Sequence, residues 1–235
     1  MKEFETLISH LQMATGIELQ SIMYELSTFV KTCEGEEALK PLEDKLPILA
    51  DFLIHKNDVI SGCAISIFRR VPINSKTLQK LIRLNKEPNA LVTEAISHVD
   101  DELWSLEIEH ELIRCLNFED SEGAAARAFY ENVYSIKERK TIDALIKVLH
   151  SNNLFTVNNA VNSLCKLTKL NHGVYAISSL KQLISDSTNI ELKENIAKTL
   201  CWATDNGEEL LKLLANDSNE KVRNVAIEFL KQSNR

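Results

Sequence analysis

Glycine and proline are scarce in this 235-residue chain, six and four respectively, and aromatic residues make up only 6% of it. A fold built on tight turns needs far more of both punctuating residues, so a turn-dense all-β architecture is excluded. Apolar runs of membrane-spanning length are also absent, which argues against a membrane partner. The amino end, MKEFETLISHLQ, mixes acids with periodic apolar positions where a secretory signal needs a basic start and an unbroken apolar core. The expected compartment is therefore the cytoplasm. Five cysteines, Cys33, Cys63, Cys115, Cys165 and Cys201, are odd in number and lie tens of residues apart. With no C-x-x-C pair they form neither a disulfide framework nor a zinc grip, and they read as buried, reduced thiols. The chain also lacks a basic field, since 27 Lys and Arg face 34 Asp and Glu for a net charge of −7. A protein that grips phosphates needs the opposite balance, so nucleic acid is disfavoured as a partner.

What the chain has in quantity is Leu, Ile, Ala, Lys and Glu, with 44% apolar residues overall. That is enough to bury a sizeable core and favours helices almost throughout. The helical segments repeat. LIKVLHSNNLFTVNNAVNSLCKL from Leu145, LKQLISDSTNIELKENIAKTLCWA from Leu180 and LLKLLANDSNEKVRNVAIEFLKQ from Leu210 each read as an amphipathic segment, a polar break and a second amphipathic segment. The second segments share apolar groups at i, i+1 and i+4, which lie on one helix face: Ala160, Val161, Leu164; Ile196, Ala197, Leu200; Val225, Ala226, Phe229. Cys63, Ala64, Ile67 and Ala95, Ile96, Val99 fit the same mould. For the fourth repeat, Ala125, Ala126, Phe129 competes with Phe129, Tyr130, Val133 one turn later. With the first choice the offsets are 32, 30, 35, 36 and 29 residues.

Residues 42–235 thus hold six helix pairs, and 1–41 supply a divergent amino-terminal capping pair, for about fourteen helices in one continuous domain. Asn57 and Asp58, Pro88 in a first turn, and Asp217 with Glu220 at capping-box spacing predict helix starts. Gly173 and Gly207 are expected where second helices end. An irregular helical bundle of similar helix lengths is the plainer alternative; the recurrence of Ala, Cys and Val in register favours stacked pairs.

The last repeat, DSNEKVRNVA, places an acidic turn at Asp217, a Val-Arg step at Val222 and Arg223, and a small residue at Ala226. In this it resembles the HEAT-repeat family of armadillo-like α-solenoids. Elsewhere only the apolar skeleton matches, with Asn158 after Val157 and Lys193 followed by Glu194 at the corresponding steps. The tetratricopeptide and ankyrin signatures are absent. The resemblance implies a right-handed α-solenoid of six to seven helix pairs whose second helices line a concave binding face. Ser66, Arg69, Asn89, Thr93, Ser97, Asn158, Asn159, Asn162, Lys198 and Asn224 are the candidate contacts there.

Catalytic constellations are thin. Glu107, His110 and Glu111 have the E-x-x-H spacing of a di-iron ligand pair, but no second copy exists, and only one His-Glu dyad, His110 with Glu111, is present where a HEAT-like metal hydroxylase holds iron with several. There is no G-x-S-x-G turn, no phosphate-binding glycine loop and no cysteine beside an evident base. No catalytic residue, metal ligand or cofactor is assigned. His55, His150 and His172 are expected as helix-end caps, and Trp104 and Trp202 as core residues.

One stretch stands apart. Residues 94–122 carry Glu94, Asp100, Asp101, Glu102, Glu107, Glu109, Glu111, Glu119, Asp120 and Glu122 against the single Arg114. Carboxylates that open a helix are stabilised by its dipole, and a charge run is commonly a solvated face. A single-sign patch on a scaffold also steers a partner of opposite charge. The sequence leaves both readings open, and the ten residues are the candidate partner-binding set. The function expected is non-catalytic binding of a basic protein, in its concrete form that of an inhibitor or immunity-type protein against a toxin or nuclease. A nucleic-acid-binding HEAT-like protein and a HEAT-like metal-dependent enzyme are the alternatives.

Overall fold

A computed structural model of the chain describes residues 2–11, 13–35, 39–167, 173–200 and 206–233. Cys201, Trp202 and His172 lie outside them. All regular structure among the described residues is helical. The α-helices are α1 Lys2–Leu11, α2 Gly16–Thr32, the single turn α3 Leu46–Leu49, α4 Asp58–Phe68, α5 Ser75–Leu84, α6 Ala90–Ser97 and α7 Leu106–Cys115. They continue with α8 Glu119–Glu131, α9 Arg139–Val148, α10 Leu154–Leu167, α11 Gly173–Asp186, α12 Ile190–Leu200, α13 Asn206–Leu214 and α14 Glu220–Ser233. Backbone contacts divide the chain into two compact units, Met1–Glu111 and Leu112–Arg235.

In the first unit the second helices α2, α4 and α6 pack in sequence; in the second unit α8, α10, α12 and α14 do the same. Their seams are the positions that recur in the sequence. Ala64 and Ile67 of α4, Ala95 and Ile96 of α6, Ala160, Val161 and Leu164 of α10, and Ile196, Ala197 and Leu200 of α12 are fully buried. Small residues at the pair position let neighbouring helix backbones approach closely, while the larger residue one turn later fills the remaining space. For the fourth repeat, Ala125, Ala126 and Phe129 are all buried on α8, whereas Tyr130 is half-buried and Val133 belongs to a 3-10 turn beyond the helix.

The first helix of the second pair is not one continuous helix. Lys40–Lys45 is a 3-10 turn, α3 follows, and Ala50–Ile54 is 3-10 again. Pro41 and Pro47 sit in the first turns of their segments, where a missing N–H costs least, and each would break a longer helix that ran through it. The core face survives the interruption, since Leu42, Leu46, Leu49 and Leu53 all stay buried.

Asparagine side chains start most second helices. Asn57 Oδ1 accepts from Val59 N at 2.9 Å, Asn89 from Leu91 N and Val92 N at 3.0 and 3.2 Å, and Asn153 from Phe155 N at 3.0 Å. Asn189 accepts from Leu192 N at 3.1 Å and Asn219 from Lys221 N at 2.9 Å. Four expected helix boundaries are corrected. Pro88 precedes the cap of α6 instead of opening the helix, and Asn219 caps α14 in place of Asp217, whose Oδ1 accepts from Asn219 N at 2.8 Å. Gly173 and Gly207 belong to the first turns of α11 and α13. A helix-ending glycine uses a left-handed φ, which among the described residues only Gly16 and Gly35 adopt.

Asp217 does more than turn the chain. Its carboxylate accepts from Lys193 Nζ of α12 at 2.8 Å, with the two side chains only 9% and 13% exposed. Burial works to raise the Asp217 pKa, but the Lys193 hydrogen bond, the Asn219 N–H and the charges of Lys193 and Arg223 outweigh it and hold the carboxyl below the usual range. A depressed carboxyl contributes stability at pH values above its unfolded pKa and loses it as pH falls through the folded one. Asp217→Ala is therefore expected to cost about 1.5–3 kcal/mol at pH 7. Urea unfolding of both proteins at pH 7 and pH 3 checks this, and the difference should shrink below about pH 4.

Candidate functional site

The ten carboxylates of the acidic stretch separate into two physical groups. Glu94 on α6 accepts at 2.8 Å from Nε of Arg69, the residue that follows α4, and lies 2.7 Å from a second guanidinium nitrogen, with its side chain 14% exposed. His98 Nε2, buried and with no hydrogen-bond partner, is 3.9 Å from the same carboxylate oxygen. Glu111 accepts from the Asn85 amide at 2.8 Å, and Glu122 on α8 accepts from Ser151 Oγ at 2.7 Å and Thr156 Oγ1 at 3.2 Å. Glu109 is 0% exposed. It is corrected out of the binding surface, because a group with no accessible area cannot touch a partner. Glu94, Glu111 and Glu122 join second helices or their flanking turns inside each unit, which gives them an internal role.

Asp100, Asp101, Glu102 and Glu107 in the first unit, and Glu119 and Asp120 in the second, are exposed. Asp100 and Glu102 occupy the turn between α6 and α7, and Glu107 the first turn of α7. The carboxylates of Asp100, Glu102 and Glu107 make no ion pair or hydrogen bond with the described residues, so the first unit carries uncompensated charge along this turn.

The carboxamides of the second unit form a different surface. Asn195 Nδ2 of α12 donates to Asn158 Oδ1 of α10 at 2.6 Å, and Thr199 Oγ1 donates to Asn162 Oδ1 at 2.6 Å. The residues on each helix are four apart, so two polar rungs cross between neighbouring second helices on one face. Asn158, Asn162, Asn195 and Thr199 are half-buried, and Asn224 and Lys198 are exposed. Thr93 and Ser97 are buried and withdraw from the expected contact set, while Asn89 is occupied as a cap. The Asn195 and Thr199 rungs escape a reading by hydrophobic periodicity, because neither residue belongs to the apolar triplet; their offset of 37 from Asn158 and Asn162 was the available signal.

Other sequence candidates find structural work. Trp104 is buried. His55 Nδ1 accepts from Asn57 N at 3.0 Å, so it serves a helix start and not free carbonyls, and His150 is exposed in the turn after α9. Arg70 donates to the Cys33 carbonyl at 3.1 Å, and Arg139 stacks 3.6 Å from the Tyr175 ring centroid. Burial pushes the Cys165 thiol up to about 12 and raises that of Cys63, with Lys31 partly opposing the latter. Neither is poised as a nucleophile. Among the described residues no three His, Cys, Asp or Glu side chains group to hold a metal ion, and no helix is long and apolar enough to cross a membrane.

No family model matches the chain, and no curated protein is detectably similar in sequence. Solved structures are similar in fold. An engineered protein aligns over 100% of this chain and 72% of its own, at 16% identity and a TM-score of 0.54. A designed armadillo repeat protein aligns over 97% of this chain and 98% of its own, at 18% identity and a TM-score of 0.50. The fold is an armadillo-like α-solenoid. Another designed armadillo repeat protein, in complex with the peptide (KR)4, covers 98% of the solenoid and 99% of its own chain at 18% identity, with a TM-score of 0.51. Within each unit the second helices form the stacked layer, and in the second unit the Asn158–Asn195 and Asn162–Thr199 rungs run along it.

Proposed function

We propose that this solenoid is a protein-binding scaffold, acting as one continuous repeat domain, that captures a basic partner. The observation that carries the reading is the uncompensated charge of Asp100, Glu102 and Glu107, exposed on the first unit while their neighbours Glu94, Glu109 and Glu111 are buried or internally bonded. Exposed carboxylates without a counter-charge raise the local concentration of cationic partners and orient them on approach. The (KR)4 complex of a designed protein with the same fold supports a basic ligand. In its finer form the scaffold is a cytoplasmic inhibitor of the immunity type, masking a basic toxin or nuclease.

Combined Asp100→Lys, Glu102→Lys and Glu107→Lys substitution tests the charge. Reversing three exposed side chains should leave far-UV circular dichroism and the melting temperature nearly unchanged. Affinity for a fluorescent (KR)4 peptide at low ionic strength should fall about tenfold or more, the sum of three modest surface terms. Unchanged affinity in the folded triple variant would remove the acidic turn from the binding surface. Reversal at Glu109 or Glu111 is no substitute, because either would disrupt the packed interior.

A further inference from the structure

The hydrogen bonds between second helices in the second unit fix their relative register. Thr156, third residue of α10, bonds Glu122, fourth of α8; Asn158 and Asn162 of α10 bond Asn195 and Thr199 of α12; Lys193, fourth of α12, reaches Asp217 just ahead of α14. All four helices therefore run parallel with their amino ends along one edge. Large apolar side chains stand exposed on that edge: Phe118 at 45% ahead of α8, Leu154 at 52% and Phe155 at 54% opening α10, and Ile190 at 41% opening α12. Phe155 lies across Gly123 of α8, where an added Cβ would come within 3.2 Å of the ring. Exposed carboxylates accompany the row, Glu119 and Asp120 beside Phe118, Glu191 beside Ile190, and Glu220 at the start of α14, and none makes a hydrogen bond or ion pair with a described residue. Lys221 is exposed at the same edge, and the Arg114 guanidinium lies 5.9 Å from the Phe118 ring centroid.

Helix dipoles account for acids at these ends, but not for three successive starts that present large apolar groups to water. We infer that this edge of the second unit is a docking surface for a basic amphipathic α-helix of a partner protein, with apolar anchors at i, i+7 and i+14. Packed helices lie about 8–10 Å apart. Seven residues of a crossing helix advance about 10.5 Å, so two turns bring the next anchor over the next solenoid helix. An extended strand presents same-face side chains about 6.7 Å apart and falls out of step with the row. The flanking carboxylates select Lys and Arg on either side of the anchors. This surface shares no residue with the Asp100–Glu107 turn, so the two readings stand or fall on different variants.

The test uses the full-length chain and a fluorescent 18-residue peptide with leucines at positions 2, 9 and 16 among lysines, alanines and glutamines. A peptide of equal composition with leucines at 2, 7 and 12, and one with glutamates replacing the lysines, are the controls. The first peptide should bind at least tenfold more tightly than either control. The double variant Phe155→Ser with Ile190→Ser should weaken it at least tenfold, and Leu154→Lys, which sits on the surface with little to unfold, should do the same. The acidic-turn triple variant should retain the preference for the 2, 9, 16 spacing. Equal binding of the three peptides, or variants that bind as well as the parent, overturns the proposal. So does a parent dimer in size-exclusion light scattering that the double variant turns into monomers, because the edge would then be covered by a second copy.

Discussion

Phe129→Ala should lower the unfolding free energy of the second unit by about 3–5 kcal/mol, while Tyr130→Ala, one residue along, costs about 1 kcal/mol. Phe129 is fully buried on α8 together with Ala125 and Ala126, and it is among the largest side chains with no exposed area. Removing its ring leaves a void between stacked second helices that close packing on both sides keeps from collapsing. Tyr130 is half-buried and offers its ring to Lys166 Nζ at 3.8 Å, an interaction of modest worth near the surface. Thermal or urea unfolding of the two variants separates the two registers that the sequence permits for the fourth repeat. Equal losses would mean that α8 packs one turn later than its burial pattern shows.

Asn85→Ala is expected to cost about 3 kcal/mol, although it removes a polar side chain from the interior. Asn85 follows α5 and has no exposed area. Its amide nitrogen donates to Glu111 at 2.8 Å and to Thr93 Oγ1 at 3.3 Å, and its oxygen accepts from Asn89 N at 3.0 Å. One side chain thus ties the end of α5 to the start and first turn of α6 and to α7. Alanine deprives a partly buried carboxylate, a buried hydroxyl and a backbone N–H of this partner together, and the carboxamide-sized space it opens cannot seat a separate well-bound water on each of the three. A lower urea midpoint with an unchanged slope would locate the loss in the folded state; a midpoint within about 0.5 kcal/mol of the parent would show that the network contributes little.

The repeat was legible because stacking imposes its spacing on the chain: the same helix-to-helix distance demands small residues at the same position each time, and 29 to 36 residues separate them. The interrupted start of the second pair was less so. Leu42, Leu46, Leu49 and Leu53 keep helical spacing, and that periodicity alone does not reveal where Pro41 and Pro47 reset the hydrogen bonding. The acidic stretch was legible as charge and illegible as surface. Which carboxylates stay outside depends on Arg69, Asn85, Ser151 and Thr156, each 25 to 34 residues from its acid. Those separations are close to one repeat length, so the partners sit one layer away, where local pattern gives no hint of them.

The asparagine caps have a consequence for how the solenoid meets a changing solvent. A carboxamide carries the same dipole at pH 4 and pH 9, and salt screens it little compared with a carboxylate. Helix starts secured by Asn57, Asn89, Asn153, Asn189 and Asn219 therefore hold their geometry across acidification and ionic strength. The helix starts are electrically quiet, so acid and salt reach the frame through its inward-held ion pairs, Asp217 with Lys193 and Glu94 with Arg69, and not through the caps.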